Sequence, residues 1–82
     1  MNKLPKWFDG EIYKEGGNVA NRFSGEEYQL TAEELSMYDF VMGATMVVEM
    51  GLGDNDRMVM DLRKGLEWFK KNNSKAYMVL LD

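Results

Sequence analysis

The segment from Met37 to Met50 constrains the fold more than any other part of the chain. Tyr38, Phe40, Val41, Met42, Ala44, Met46, Val47 and Val48 lie between those two methionines, and only Ser36, Asp39 and Gly43 mark out a narrow polar or small stripe. The run before it, Thr31-Ala32-Glu33-Glu34, is a capping box in which the Thr31 hydroxyl and the Glu34 carboxylate each satisfy the other residue's backbone amide. Gly51-Leu52-Gly53 supplies the stop. A helix is therefore predicted from Ala32 to about Met50. A surface helix buries one apolar stripe; one that is apolar nearly all round must be covered on several sides.

The chain has 82 residues, enough for one domain spanning 1–82. By surface scaling, a chain of this size buries about 63% of what it exposes when unfolded. So thin a shell does not wrap the central helix completely, and a second copy is expected to cover the remainder. Half of the eight methionines, Met37, Met42, Met46 and Met50, fall on this helix, and methionine suits both irregular cores and adaptable contacts. The predicted interface comprises Met42, Met46, Val47 and Met50, with a homodimer favoured among the homo-oligomers.

The expected fold class is α+β: an N-terminal β-hairpin or small three-stranded meander, two main helices and a short C-terminal helix. Glu11-Ile12-Tyr13-Lys14 reads as a short strand, with Gly16 and Gly17 supplying positive φ for a turn. Val19–Phe23 and Glu26–Leu30 flank Ser24-Gly25 as a two-residue hairpin loop. That register places Phe23 opposite Glu26, Arg22 opposite Glu27, Asn21 opposite Tyr28 and Val19 opposite Leu30. Val19, Phe23, Tyr28 and Leu30 then share one face, with Arg22 and Glu27 paired on the other.

The second helix is predicted from Asp54 or Asp56 to about Lys71. Met58, Val59, Leu62, Leu66 and Phe69 form its apolar side, and Gly65 on that side permits a close approach. Asp61, Lys64, Glu67 and Lys71 point away, and Arg57–Asp61 and Glu67–Lys71 are candidate surface pairs. Trp68 lies about 120° from the stripe and needs a partner elsewhere. Asn72-Asn73 breaks the helix, and Ser74 is the expected cap of a last helix, Lys75 to Leu81. The run 76–81 also fits a buried strand, with the cap favouring helix.

Composition removes much chemistry. With neither Cys nor His, the chain has no thiol or imidazole nucleophile, no usual zinc ligands and no disulfides. Asp54-Asn55-Asp56 resembles the start of a calcium loop, but Val59 and Gly65 stand where the turn glycine and the bidentate Glu belong; it reads instead as an acidic helix start. Glu26-Glu27 and Glu33-Glu34 have structural roles to fill. Asp39 and Glu49 sit on an apolar helix, where burial would perturb a carboxylate, yet they differ by about 80° in azimuth and do not form one tight site. The reading is of a non-enzymatic interaction protein without catalytic residues, cofactor or metal.

The net charge of −4 opposes phosphate binding over the whole surface, so nucleic acid is not the favoured partner. The alternative is a small nucleic-acid-binding regulator that uses the basic end of the second helix, with Lys64, Trp68, Lys70, Lys71 and Lys75 as its surface. Against a recognition helix, 76–81 offers almost no polar side chains for base edges. Trp7 and Phe8 are expected to tie the N-terminal segment onto the core. No apolar run reaches the length of a membrane span or of a signal peptide, so the expected location is the cytoplasm.

Five stretches taken together, Leu4-Pro5-Lys6-Trp7-Phe8, Phe23-Ser24-Gly25-Glu26, Glu34-Leu35-Ser36-Met37-Tyr38-Asp39-Phe40, Leu62-Arg63-Lys64-Gly65-Leu66-Glu67-Trp68-Phe69 and Ala76-Tyr77-Met78-Val79-Leu80-Leu81-Asp82, resemble small proteins of marine tailed phages, cyanophages especially. The resemblance implies a setting, namely a phage product acting on phage or host proteins in the bacterial cytoplasm or in the virion. It implies no activity and no site residues.

Overall fold

The computed structural model describes residues 4–8, 10–51 and 56–81, the side chains of 56 and 57 excepted. The order of elements is β1 (Gly17–Ala20), β2 (Glu27–Leu30), α1 (Ala32–Glu49), α2 (Asp56–Asn72) and α3 (Ser74–Leu80). The class is α+β, with an antiparallel two-stranded hairpin followed by three helices. The meander is not formed: residues 11–14 are irregular, and the Tyr13 amide donates to the Ser36 hydroxyl at 2.8 Å instead of to a neighbouring strand.

The hairpin register differs from the expected one by two residues. Val19 faces Tyr28, Gly17 faces Leu30 and Ala20 faces Glu27. The loop holds four residues, 22–25, closed by the Asn21 amide donating to the Glu26 carbonyl at 2.7 Å. Asn21 decides this. Its Oδ1 accepts from the amides of Phe23 and Ser24 at 2.7 and 3.0 Å, a side-chain turn that competes with strand pairing. Gly25, at φ +80°, takes the left-handed position that closes the loop. Phe23 is consequently 84% exposed rather than on the inner face. Arg22 pairs with Glu49 rather than Glu27, while Glu27 accepts from the Asn18 side-chain amide.

The α1 capping box is present in full: Glu34 N–H to Thr31 Oγ1 at 3.2 Å, and Thr31 N–H to Glu34 Oε1 at 3.0 Å. At the other end Met50 caps the helix and Gly51 turns to φ +75°. Gly16 and Gly17 do not take positive φ. Gly16 is needed for space, because a Cβ there would lie 2.0 Å from the Leu30 carbonyl oxygen.

The core comprises Leu30, Met37, Val41, Phe69, Ala76 and Leu80. At its centre α1 meets α2 through Gly65, where an added Cβ would lie 2.6 Å from Val41 Cγ2; the glycine on the packing side of α2 does permit the close approach. Val59 departs from the expected stripe and is 42% exposed, because it lies at the end of α2 away from this crossing. Ser36 also departs from expectation. It is fully buried, its hydroxyl accepting from the Tyr13 amide and donating to the Ala32 carbonyl.

The cap of α3 is Asn73, one residue before the expected Ser74. Asn73 Oδ1 accepts from the Ala76 amide at 3.1 Å, and its Nδ2 donates to Glu34 Oε2 at 2.9 Å. The buried Glu34 carboxylate thus serves two helix starts, its own through Thr31 and that of α3 through Asn73. A carboxylate that is 4% exposed is tolerable only with such partners.

Candidate functional site

Two surfaces collect the residues singled out in the sequence. The first is the outward side of α1. Met37, Val41 and Ala44 face the core, while Met46 and Met50 are 53% and 66% exposed. Gly43 lies on the same side of the helix, about 20° from Met50 and about 60° from Met46 on the helical projection, and a Cβ built on it would meet no atom within 4 Å. Met42 and Val47 are half-buried at the edges of this strip. All four predicted interface residues thus lie on or beside one open strip, with exposed Asp39 at its N-terminal end.

Met42 also lines a groove of about 290 Å³ walled by Tyr38, Val41, Leu62, Leu66 and Leu80, with the hairpin loop at its rim. Within that loop the Arg22 guanidinium lies 4.8 Å from the centroid of its neighbour Phe23 and pairs with Glu49 at 3.0 Å. Both charged partners are exposed, so the pair contributes at most about 1 kcal/mol. Burial in the groove pushes the Tyr38 phenol above its ordinary value, and Arg22 opposes this in part. The Tyr13 phenol is raised as well, first by desolvation, then by the negative charges of Asp39 and Glu11 and by a hydrogen bond with Asp39.

The second surface lies between the N-terminal segment and α2. Pro5 to Phe8 form a turn closed by Phe8 N–H to the Pro5 carbonyl at 3.0 Å. The turn packs on Phe40, whose ring centroid is 6.0 Å from Trp7 and 5.2 Å from Phe8. This is the expected anchoring of the segment. Trp7 is thereby brought to a recess of about 420 Å³ with Arg63, Lys64, Glu67, Trp68 and Lys71. The Lys64 ammonium lies 5.7 Å from the Trp7 ring centroid. Trp68 finds its partners here and in Phe69, whose ring it meets edge-on at 5.9 Å. Lys70 turns instead toward Tyr77, 6.0 Å from its centroid, in a smaller recess of about 200 Å³ that shares Arg63 and Glu67. Lys75 is exposed and lines neither recess.

The structure thus brings Lys64, Trp68 and Lys71 together, sets Lys70 beside them and leaves Lys75 apart. Arg63 and Trp7 were missed as members of the site. Arg63 had a signal, since 63, 64, 67, 68 and 71 recur at helical spacing; Trp7 is remote in sequence and had none.

The remaining candidates do not converge. Asp39 and Glu49 are exposed, and no group of three carboxylates able to hold a metal occurs among the described residues. The Arg22–Glu49 bridge is the one ion pair among the described residues, so Glu67 and Lys71 do not pair. The Arg57 side chain, and with it the Arg57–Asp61 pair, and the Asp54-Asn55 sequence fall outside what the structure describes. Among those residues no helix is long and apolar enough to cross a membrane. No protein-family model, no curated protein and no solved structure matches the chain.

Proposed function

We propose that the chain is a non-enzymatic interaction protein that associates with a second copy of itself through the outward strip of α1, with Met42, Met46, Val47 and Met50 in the contact. The observation that carries this reading is the bare Gly43 on the same side of α1 as exposed Met46 and Met50. A glycine inside a helix costs about 1 kcal/mol relative to alanine, and nothing in the single chain uses the space it leaves. A helix of a second copy crossing at Gly43 would use that space and would cover the two methionines beside it. The strip continues into the groove at Met42, so the apolar surface extends beyond one helix. A dimer built on one patch is isologous and closes on itself. With the resemblance to marine phage proteins, the reading is of an accessory or structural component working in the host cytoplasm or in the virion.

Light scattering at micromolar concentration tests it. A dimer mass is expected, and Met46→Glu, which places a charge on an exposed position, should give monomers without loss of helix content. A monomer in the unaltered chain would falsify the proposal.

The second reading is a nucleic-acid-binding regulator, and one observation favours it. Five of the ten cations lie within residues 63–75 against a single acid, Glu67, a local charge of +4 in a chain of −4. Glu67 stands in both recesses, however, and so interrupts a path for successive phosphates. The exposed positions of α3 are Ser74, Lys75 and Met78, few polar side chains with which to read base edges.

A further inference from the structure

The recess under Trp7 combines features that the self-association reading leaves unused. Two indoles, both half-buried, form its apolar wall, and three cations, Arg63, Lys64 and Lys71, stand at its edge with one carboxylate, Glu67. Its volume of about 420 Å³ lies within the roughly 300–1,000 Å³ usual for small-molecule sites. Indole faces stack on planar rings and attract cations, and lysine and arginine bind phosphate through charge-assisted hydrogen bonds. A ligand that satisfies both sides carries a flat ring and a phosphate a few bonds apart.

We propose that this recess binds a single nucleotide, with its base against the indole wall and its phosphate on Lys71, Lys64 and Arg63. Glu67 accepts from the exocyclic amino group of the base. The charge pattern selects a free nucleotide over a strand. A strand leaving the recess toward Tyr77 and Lys70 passes Glu67, which lines both recesses, and the rest of the chain carries a net −8 (five cations against thirteen acids). The charged residues of the recess sum to +2, three cations against Glu67, which suits one phosphate; a longer run of phosphates extends over the remainder of a chain that is net negative. The site is independent of the α1 strip.

The chain contains two tryptophans, and both line the recess, so indole emission excited at the red edge of its absorption reports on this site alone. Adenosine monophosphate is expected to quench it saturably. Adenosine should bind about tenfold more weakly or worse, since it lacks the charge-assisted contacts, and inorganic phosphate alone should leave the emission unchanged. Lys71 is exposed, so Lys71→Glu should weaken the nucleotide about tenfold or more with an unaltered circular dichroism spectrum and thermal midpoint. Met46→Glu should keep the full response, which separates this site from self-association. The proposal is overturned by an absence of saturable quenching, by equal affinity for nucleoside and nucleotide, or by an indifferent Lys71→Glu variant. A single-stranded oligoadenylate that binds more tightly per nucleotide than the monomer would overturn it too, and would assign the surface to polymer binding.

Discussion

Gly43 and Gly65 are the same residue in the middle of two neighbouring helices, and they face opposite situations. Gly65 is buried, and a Cβ there would run into Val41 at 2.6 Å; Gly43 is exposed, and a Cβ there would touch nothing. At Gly65 the missing side chain lets α1 and α2 approach, and the packing gained offsets the entropy of a helical glycine. At Gly43 the same entropy is lost with no packing in return from the single chain. The inner seam is filled, whereas the outer strip is open.

The largest effect that separates the two regions comes from a matched pair of truncations on α1. Met37 is 0% exposed and Met46 is 53% exposed. Met37→Ala is expected to destabilise the fold by about 2–5 kcal/mol, from lost transfer energy and the cavity left behind. Met46→Ala in the dissociated chain should stay within about 0.5 kcal/mol. Urea unfolding at nanomolar concentration measures both. Equal losses at the two sites would show that Met46 is a core residue and would erase the distinction.

A smaller effect, opposite in sign at the two sites, is expected from alanine at each glycine. Gly65→Ala inserts a methyl group into a filled space and should cost about 1–3 kcal/mol, with Val41 Cγ2 as the atom displaced. Gly43→Ala should raise the stability of the monomer by up to about 1 kcal/mol while weakening the proposed dimer, in which a methyl group would hold off the crossing helix. Thermal midpoints at low and high protein concentration separate the two consequences. A Gly43→Ala variant that gains stability equally at both concentrations would place the contact away from Gly43.

Local signals were legible in the sequence where both partners lie within one turn. The capping box of Thr31 and Glu34 joins residues three apart, and the Gly65 approach follows from helical spacing on one side of α2. The hairpin register was not legible, because a slip of two residues keeps every side chain on its face. The hydrophobic pattern of Val19, Tyr28 and Leu30 is satisfied either way, and the choice falls to Asn21, whose side chain builds the four-residue loop and donates to the Val79 carbonyl at 2.9 Å. The cap of α3 has the same character. Asn73 and Ser74 are both good caps, and Glu34, thirty-nine residues away, selects Asn73. For the candidate sites, the exposure of Met46 and Met50 follows from too few residues to cover α1, but the meeting of Trp7 with Trp68 depends on where the N-terminal turn docks on Phe40.

The smallest effect is a dependence on alkaline pH, and it bears on how far the outer region extends. Tyr38, in the groove beside Met42, and Tyr13, near the negative charge of Asp39, both have phenols raised above the ordinary value of about 10. Folding therefore disfavours their ionisation. The stability they contribute is fully present below pH about 10 and is lost as the pH rises through the native values, where the unfolded chain has already released its protons. Tyrosinate absorbance should show native titration later than that of the chain in urea. Tyr38→Phe and Tyr13→Phe should each remove part of the difference. If a second copy covers the groove as well as the strip, its apolar surface desolvates Tyr38 further, and the Tyr38 titration should move still higher as protein concentration rises. A Tyr38 titration that stays fixed from nanomolar to micromolar protein while the mass doubles would confine the contact to Gly43, Met46 and Met50 and leave the groove open in the dimer.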